Sequence, residues 1–226
     1  MINWGYWEVT TLESSYQQSL ADLWGKGTPA DQASPEEQLA RLEARCLECH
    51  RCPLRAGCRQ VVFGEGGHGS RLMLVGEGPG AEEDRLGKPF VGAAGQLLGR
   101  ILEAVQIERE ELYITNIVKC RPPSNRNPNS AEIAECLPYL HRQIELLDPL
   151  VIVCMGAVAT RTLIGGSASI TRLRGQWQEK EGRQLMPTFH PAALLRDPRK
   201  KRPVWEDFQE VAGRFRRLLG QETGDG

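Results

Sequence analysis

Two sets of residues in this 226-residue chain have types and spacings suited to chemistry. The first is a set of thiols. Cys46, Cys49, Cys52 and Cys58 stand in one short stretch, Cys120 and Cys136 stand farther on, and Cys154 is the seventh. Cys49-x2-Cys52 is a chelating pair, and a fold that brings Cys120 and Cys136 beside it makes a four-thiolate site for zinc or an iron–sulfur cluster. A compact alternative uses Cys46, Cys49, Cys52 and Cys58 alone as a zinc knuckle, and free buried thiols are a third reading. The second set is Glu77, Asn116 and His190, a carboxylate, an amide and an imidazole. Each follows an apolar run, and together they could exchange protons and hydrogen bonds in one crevice if the fold gathers them.

The elements that must position them are legible from the apolar runs. Leu72-Met-Leu-Val75 is a strand, followed by Gly76-Glu-Gly-Pro-Gly80, a turn whose glycines let a backbone approach a ligand closely. Leu112–Thr115, Val151–Met155 and Leu185–Phe189 are further strands, with a hairpin over Trp177–Gln184. Helices are predicted over Gly95–Val105, from Ser130 to Leu147, over Gly156–Ile164 and over Trp205–Leu219. Ser34-Pro35-Glu36-Glu37 reads as a helix start running to Arg45, with Ser as the cap, Pro in the first turn and Glu closing a capping box. Strands alternating with helices predict an α/β fold, a three-layer α/β/α arrangement around a mainly parallel, four-stranded sheet. In such a sheet the carboxyl ends share one edge, so Glu77, Asn116 and His190 converge.

Composition narrows the class. No apolar run reaches the length of a membrane span, and the N-terminus lacks a basic-then-apolar signal pattern, so a cytoplasmic protein is expected, with its cysteines as ligands or free thiols. The net charge of −1 conceals a polarity. Residues 1–43 carry seven acids (Glu8, Glu13, Asp22, Asp31, Glu36, Glu37, Glu43) against Lys26 and Arg41, while residues 171–217 carry twelve Lys or Arg against six acids. The basic C-terminal quarter is suited to a polyanion, although a plain solvated surface has the same composition. Gly76-x-Gly78-x-Gly80 is not the G-x-G-x-x-G spacing, and Pro79 obstructs the helix start that would hold pyrophosphate, which argues against dinucleotide binding.

Four motifs in order carry a resemblance. Gly76–Gly80, Gly87-Lys-Pro-Phe-Val-Gly-Ala-Ala-Gly95, Tyr113-Ile-Thr-Asn-Ile-Val-Lys-Cys-Arg-Pro-Pro123 and Phe189-His-Pro-Ala-Ala-Leu-Leu-Arg196 resemble family 4 uracil-DNA glycosylases, from about Leu47 to Leu219. The resemblance implies a base excision repair enzyme that flips uracil out of DNA and hydrolyses its N-glycosidic bond, leaving an abasic site. It implies a 4Fe–4S iron–sulfur cluster on Cys49, Cys52, Cys120 and Cys136, with Cys46, Cys58 and Cys154 as extras. Residues 1–43 then form an acidic, partly flexible extension, 44–220 the glycosylase domain and 221–226 a tail.

Roles follow residue by residue from the same resemblance. Phe90 supplies a stacking face, and Asn116 offers an acceptor and a donor that complement uracil N3–H and O4. Glu83 forms the wall that rejects the thymine methyl. His190 and the backbone N–H groups of Gly76, Glu77 and Gly78 stabilise charge on the departing base. Leu194 resembles the wedge that fills the gap left by the flipped base, and Arg196 binds phosphate. The position just before Pro79, where many uracil glycosylases place a water-orienting Asp or Asn, is Gly78 here, and Glu77 is the nearest carboxylate. Two rival functions share parts of this pattern: a related glycosylase acting on other deaminated bases, and a non-enzymatic iron–sulfur module that binds nucleic acid. The expected partner is uracil-containing DNA, bound by a monomer. Gln17–Trp24 resembles the short peptides that dock on DNA sliding clamps, with Leu20, Leu23 and Trp24 on one side of a helical turn.

Overall fold

The computed structural model describes residues 33–165 and 169–224. The clamp-like peptide Gln17–Trp24 and the greater part of the acidic extension lie outside the described residues.

The sheet is built as the apolar runs predict. Strands β1 (Leu72–Gly76), β2 (Leu112–Asn116), β3 (Val151–Met155) and β5 (Arg183–Thr188) pair in parallel. The expected hairpin supplies a fifth strand, β4 (Gln178–Lys180), antiparallel at the edge, giving the order β2-β1-β3-β5-β4. Side chains alternate between faces with the strand period of two. Leu72, Leu74, Ile114 and Val153 face one core, while Met73, Val75, Tyr113 and Ile152 face the other.

Helices cover both faces. On the first side lie α4 (Ala93–Ala104), through Leu98, Ile101 and Leu102, and α9 (Lys201–Gly224), through Val204, Phe208 and Val211. On the second lie α1 (Pro35–Leu47), α5 (Ser130–Leu147) and α6 (Ala157–Ile164). Short helices α2 (Leu54–Gly57), α3 (Ala81–Leu86), α7 (Ile170–Leu173) and α8 (Pro191–Arg196) complete the order. The result is the three-layer α/β/α arrangement expected.

Ser34 caps α1 with the full reciprocal box to Glu37, a device worth about 1 kcal/mol. Helix α1 runs across the expected boundary at 43/44, and its Leu42 and Cys46 are buried in the core it shares with α5. Asn129 caps α5, which begins at Ser130 as predicted, because its side chain accepts from the Glu132 N–H at 2.9 Å. Helix α9 begins four residues before Trp205 and runs to Gly224, into the segment read as a tail. Among the described residues, no helix is long and apolar enough to cross a membrane.

Candidate active site

The carboxyl ends of β1, β2 and β5 bring Glu77, Asn116 and His190 to one cleft of about 290 Å³. Strand β1 is the point where the chain order reverses, with β2 on one side and β3 on the other. Gly76 and Asn116 are register partners at the last rung between β1 and β2. The ladder continues past them, with the Ile117 and Val118 N–H groups donating to the Gly76 and Glu77 carbonyls.

Asn116 is 1% exposed, and its Oδ1 is a buried acceptor without a hydrogen-bond partner among the described residues. Such an orphan is costly unless a ligand supplies the donor. The Phe90 ring lies beside it, with φ of 52° at Phe90, a conformation rare for a bulky residue. Glu83 holds that turn: its Oε1 accepts from the Val91 and Gly92 N–H groups at 3.0 and 2.9 Å. Gly95 is required beneath, since a Cβ there would sit 1.8 Å from the Phe90 carbonyl oxygen.

His190 caps α8. Its Nδ1 accepts from the Ala192 N–H at 3.1 Å, so the neutral ring carries its proton on Nε2. Burial, assisted by Arg196 and opposed by Glu83, pulls its pKa down to about 4. The Phe90 and His190 rings stand 5.6 Å apart between centroids. Burial pushes the half-buried Glu77 carboxyl above its usual range, against the pull of Arg161 and Arg196. Gly78 has no room for a side chain, because a Cβ would meet Val118 at 2.8 Å.

Leu194, read from the sequence as the wedge, is fully buried, packed in the core with Leu98 and Val204. The helix begun at Pro191 turns Leu194 inward and leaves its neighbour Leu195, 49% exposed, on the outside. Arg196 lines the cleft. The cleft also uses residues that motif reading left unassigned: Pro122, Asn125, Arg126 and Asn127. Their signal was the polar Lys119–Pro128 loop. It is pinned where the Arg126 guanidinium grips the nearly buried Glu132 carboxylate.

The thiols gather on the far side of β2. Cys49 and Cys52 stand between α1 and α2, Cys120 follows β2, and Cys136 lies in the second turn of α5. Cys136 neighbours both Cys49 and Cys52, and Cys120 neighbours Cys136 and Cys52. Cys46, whose carbonyl accepts from the Cys49 N–H at 3.2 Å, lies in the same core, and Cys58 adjoins Cys120. Among the described residues, no three His, Cys, Asp or Glu side chains close up as the ligands of a single ion. Burial raises the Cys136 thiol to about 11, against the pull of the Lys119 ammonium and backbone N–H. Cys154 is buried separately within β3.

Comparison with known proteins agrees with this geometry. The sequence profile of the Uracil DNA glycosylase superfamily matches residues 63–209. The chain is 45% identical to a type-4 uracil-DNA glycosylase of Thermotoga maritima, across 78% of this chain and 94% of the relative. It is 40% identical to that of Sulfurisphaera tokodaii, across 77% and 84%. It is 42% identical to that of Pyrobaculum aerophilum, across 77% and 93%. The chain belongs to the uracil-DNA glycosylase superfamily and, within it, to the type-4 enzymes.

Proposed function

We propose that this chain is a DNA repair glycosylase that takes uracil, flipped out of DNA, into the cleft at the end of β1 and hydrolyses its bond to the sugar. The observation that carries the reading is the orphaned acceptor of Asn116. A buried Oδ1 without a partner calls for an N–H donor, and uracil N3–H is one. The Asn116 amide nitrogen then donates to uracil O4. Cytosine reverses that pattern and leaves two buried groups facing their like.

Phe90 stacks on the base. Glu83, tied to the backbone beyond Phe90, makes a rigid wall toward C5, where thymine carries its methyl. In the reaction, the bond between sugar C1′ and uracil N1 breaks and its electron pair leaves with the base. The Nε2–H of neutral His190 donates to uracil O2 as that charge develops. Water bonds to C1′, and its proton passes to Glu77, whose raised proton affinity suits the role. Arg196 and the following Arg199, Lys200, Lys201 and Arg202 supply cations for phosphates. Exposed Leu195 takes the wedge role first read onto Leu194.

Cys49, Cys52, Cys120 and Cys136 would hold the 4Fe–4S cluster. All four are thiols with no oxygen or imidazole ligand among them, and each neighbours others of the set across segments far apart in sequence. When bound, such a cluster supplies a cross-link between the N-terminal turn, the β2 exit and α5.

The test is incubation of the purified protein with a uracil-containing oligonucleotide, followed by alkali to cut abasic sites. Strand cleavage at uracil is expected. Asn116→Ala is expected to slow it by a factor on the order of 10². Cleavage unchanged in that variant would remove the orphaned acceptor from the account. Metal analysis is expected to find iron; zinc alone with full activity would refute the cluster.

A further inference from the structure

Among the described residues Lys119 is the largest fully buried side chain, at 1% exposure, and the reaction as drawn does not use it. Its Nζ lies 2.5 Å from Thr115 Oγ1, 2.8 Å from the Asn116 carbonyl oxygen and 2.7 Å from Gln143 Oε1. The orientation of each partner is fixed. Gln143 donates through Nε2 to the Phe63 carbonyl at 3.0 Å and the Tyr113 hydroxyl at 2.9 Å, which turns Oε1 to the lysine. Thr115 spends its own proton on the Phe63 carbonyl at 2.8 Å. A backbone carbonyl only accepts. Three acceptors converge on one nitrogen, and only an ammonium has three protons to give them.

A buried ammonium needs a counter-charge, since an unpaired one costs several kcal/mol. The ionisable groups acting on it are Cys136 and Cys46. Cys136 Sγ also accepts from the Lys119 backbone N–H at 3.2 Å. Neutral thiols do not compensate a cation; thiolates on a cluster do. The same ammonium holds the carbonyl of the residue whose side chain presents the orphaned acceptor.

We infer that Lys119 is a positioning residue that couples the metal centre to the base reader, as the buried counter-charge of the thiolate cluster and as the strut under the Asn116 backbone. The inference rests on the cluster reading above. Without the cluster the ammonium loses its counter-charge, the three-acceptor knot relaxes, and Asn116 is released from its place against Phe90.

The test uses the full-length, iron-loaded protein and the variants Lys119→Met and Thr115→Val. Methionine keeps length and removes the charge; valine keeps the ammonium and removes one of its acceptors together with that residue's hydrogen bond to Phe63. In Lys119→Met the cluster's midpoint potential is expected to move to more negative values, because a nearby cation favours the reduced form. Iron release to a chelator is expected to be about tenfold faster, and uracil excision about tenfold slower in kcat at equal iron content. In Thr115→Val excision is expected to slow at the wild-type potential. Iron-replete Lys119→Met with wild-type potential, iron release and excision would overturn the coupling and leave the cluster reading intact. Wild-type protein holding zinc and no iron would instead overturn the cluster reading and this inference with it. If Lys119→Met is insoluble, Thr115→Val decides: slowed excision at unchanged potential supports the strut, and wild-type excision overturns it.

Discussion

A methyl group on Gly76 would lie 2.4 Å from Asn116 Oδ1 and 2.6 Å from the Phe90 ring. Two residues paired at the end of neighbouring strands thus set the floor and the reader of the cleft, and the absence of a side chain on one fixes the position of the other. Gly76→Ala is expected to fold, because β1 keeps its ladder, but to push Asn116 and Phe90 outward. A misplacement of about 1 Å can reduce rate by about 10². Excision assays beside thermal unfolding check this: a large loss of rate at a nearly unchanged Tm is expected, and wild-type rate would show that the amide tolerates displacement.

Glu83 holds the Phe90 turn through two backbone N–H groups, so it acts on the stacking face as well as on the C5 wall. Glu83→Ala removes both functions. Uracil excision is expected to fall about tenfold or more, with weak excision of thymine from a mismatched duplex appearing. If thymine stays fully excluded while uracil excision falls, the carboxylate only supports the turn and the wall lies elsewhere.

How much of this was legible beforehand differs by residue. Apolar runs located all four parallel strands, and strand polarity alone gathered Glu77, Asn116 and His190, because side-chain period and parallel pairing are local consequences of composition. The burial of Leu194 was not legible because a motif offset gives no rotation about a helix axis; only the start of α8 at Pro191 decides which leucine faces the core. Helices α3 and α8 were missed because six residues carry little periodicity. The buried role of Lys119 was illegible because lysine is almost never fully buried unless paired, and its partners come from β2 and α5, far apart in sequence.

His190 gives a pH signature. Its imidazole is held neutral to about pH 4, against a usual value of 6.5. Between those values the unfolded chain takes up a proton that the folded chain refuses, so stability falls as pH drops through this window and levels off below it. His190→Asn removes that contribution. Urea unfolding across pH is expected to show the wild type losing stability relative to the variant from about pH 6.5 down to about pH 4. The excision rate is expected to show no acid limb centred near 6.5, since the group that donates to O2 is already neutral there. A limb at that pH that persists in Glu77→Gln would mean that an ordinary, ionisable imidazole faces the base.

The two leucines of α8 separate folding from DNA opening. Leu194 is packed among core residues, and Leu194→Ala leaves a cavity expected to cost about 2–5 kcal/mol of stability. Leu195 is 49% exposed on the same helix, one residue from the cleft-lining Arg196. Leu195→Ala is expected to change stability by less than about 0.5 kcal/mol. A wedge matters only where a flipped base leaves a gap in a stacked duplex, and flipping there costs a few kcal/mol that a single strand does not demand. Leu195→Ala is therefore expected to slow excision from duplex DNA on the order of tenfold, about 1.4 kcal/mol of barrier, while excision from a single-stranded oligonucleotide keeps its rate. Equal slowing on both substrates would mean that Leu195 supports the cleft instead of filling the duplex. No slowing on either would move the wedge off α8.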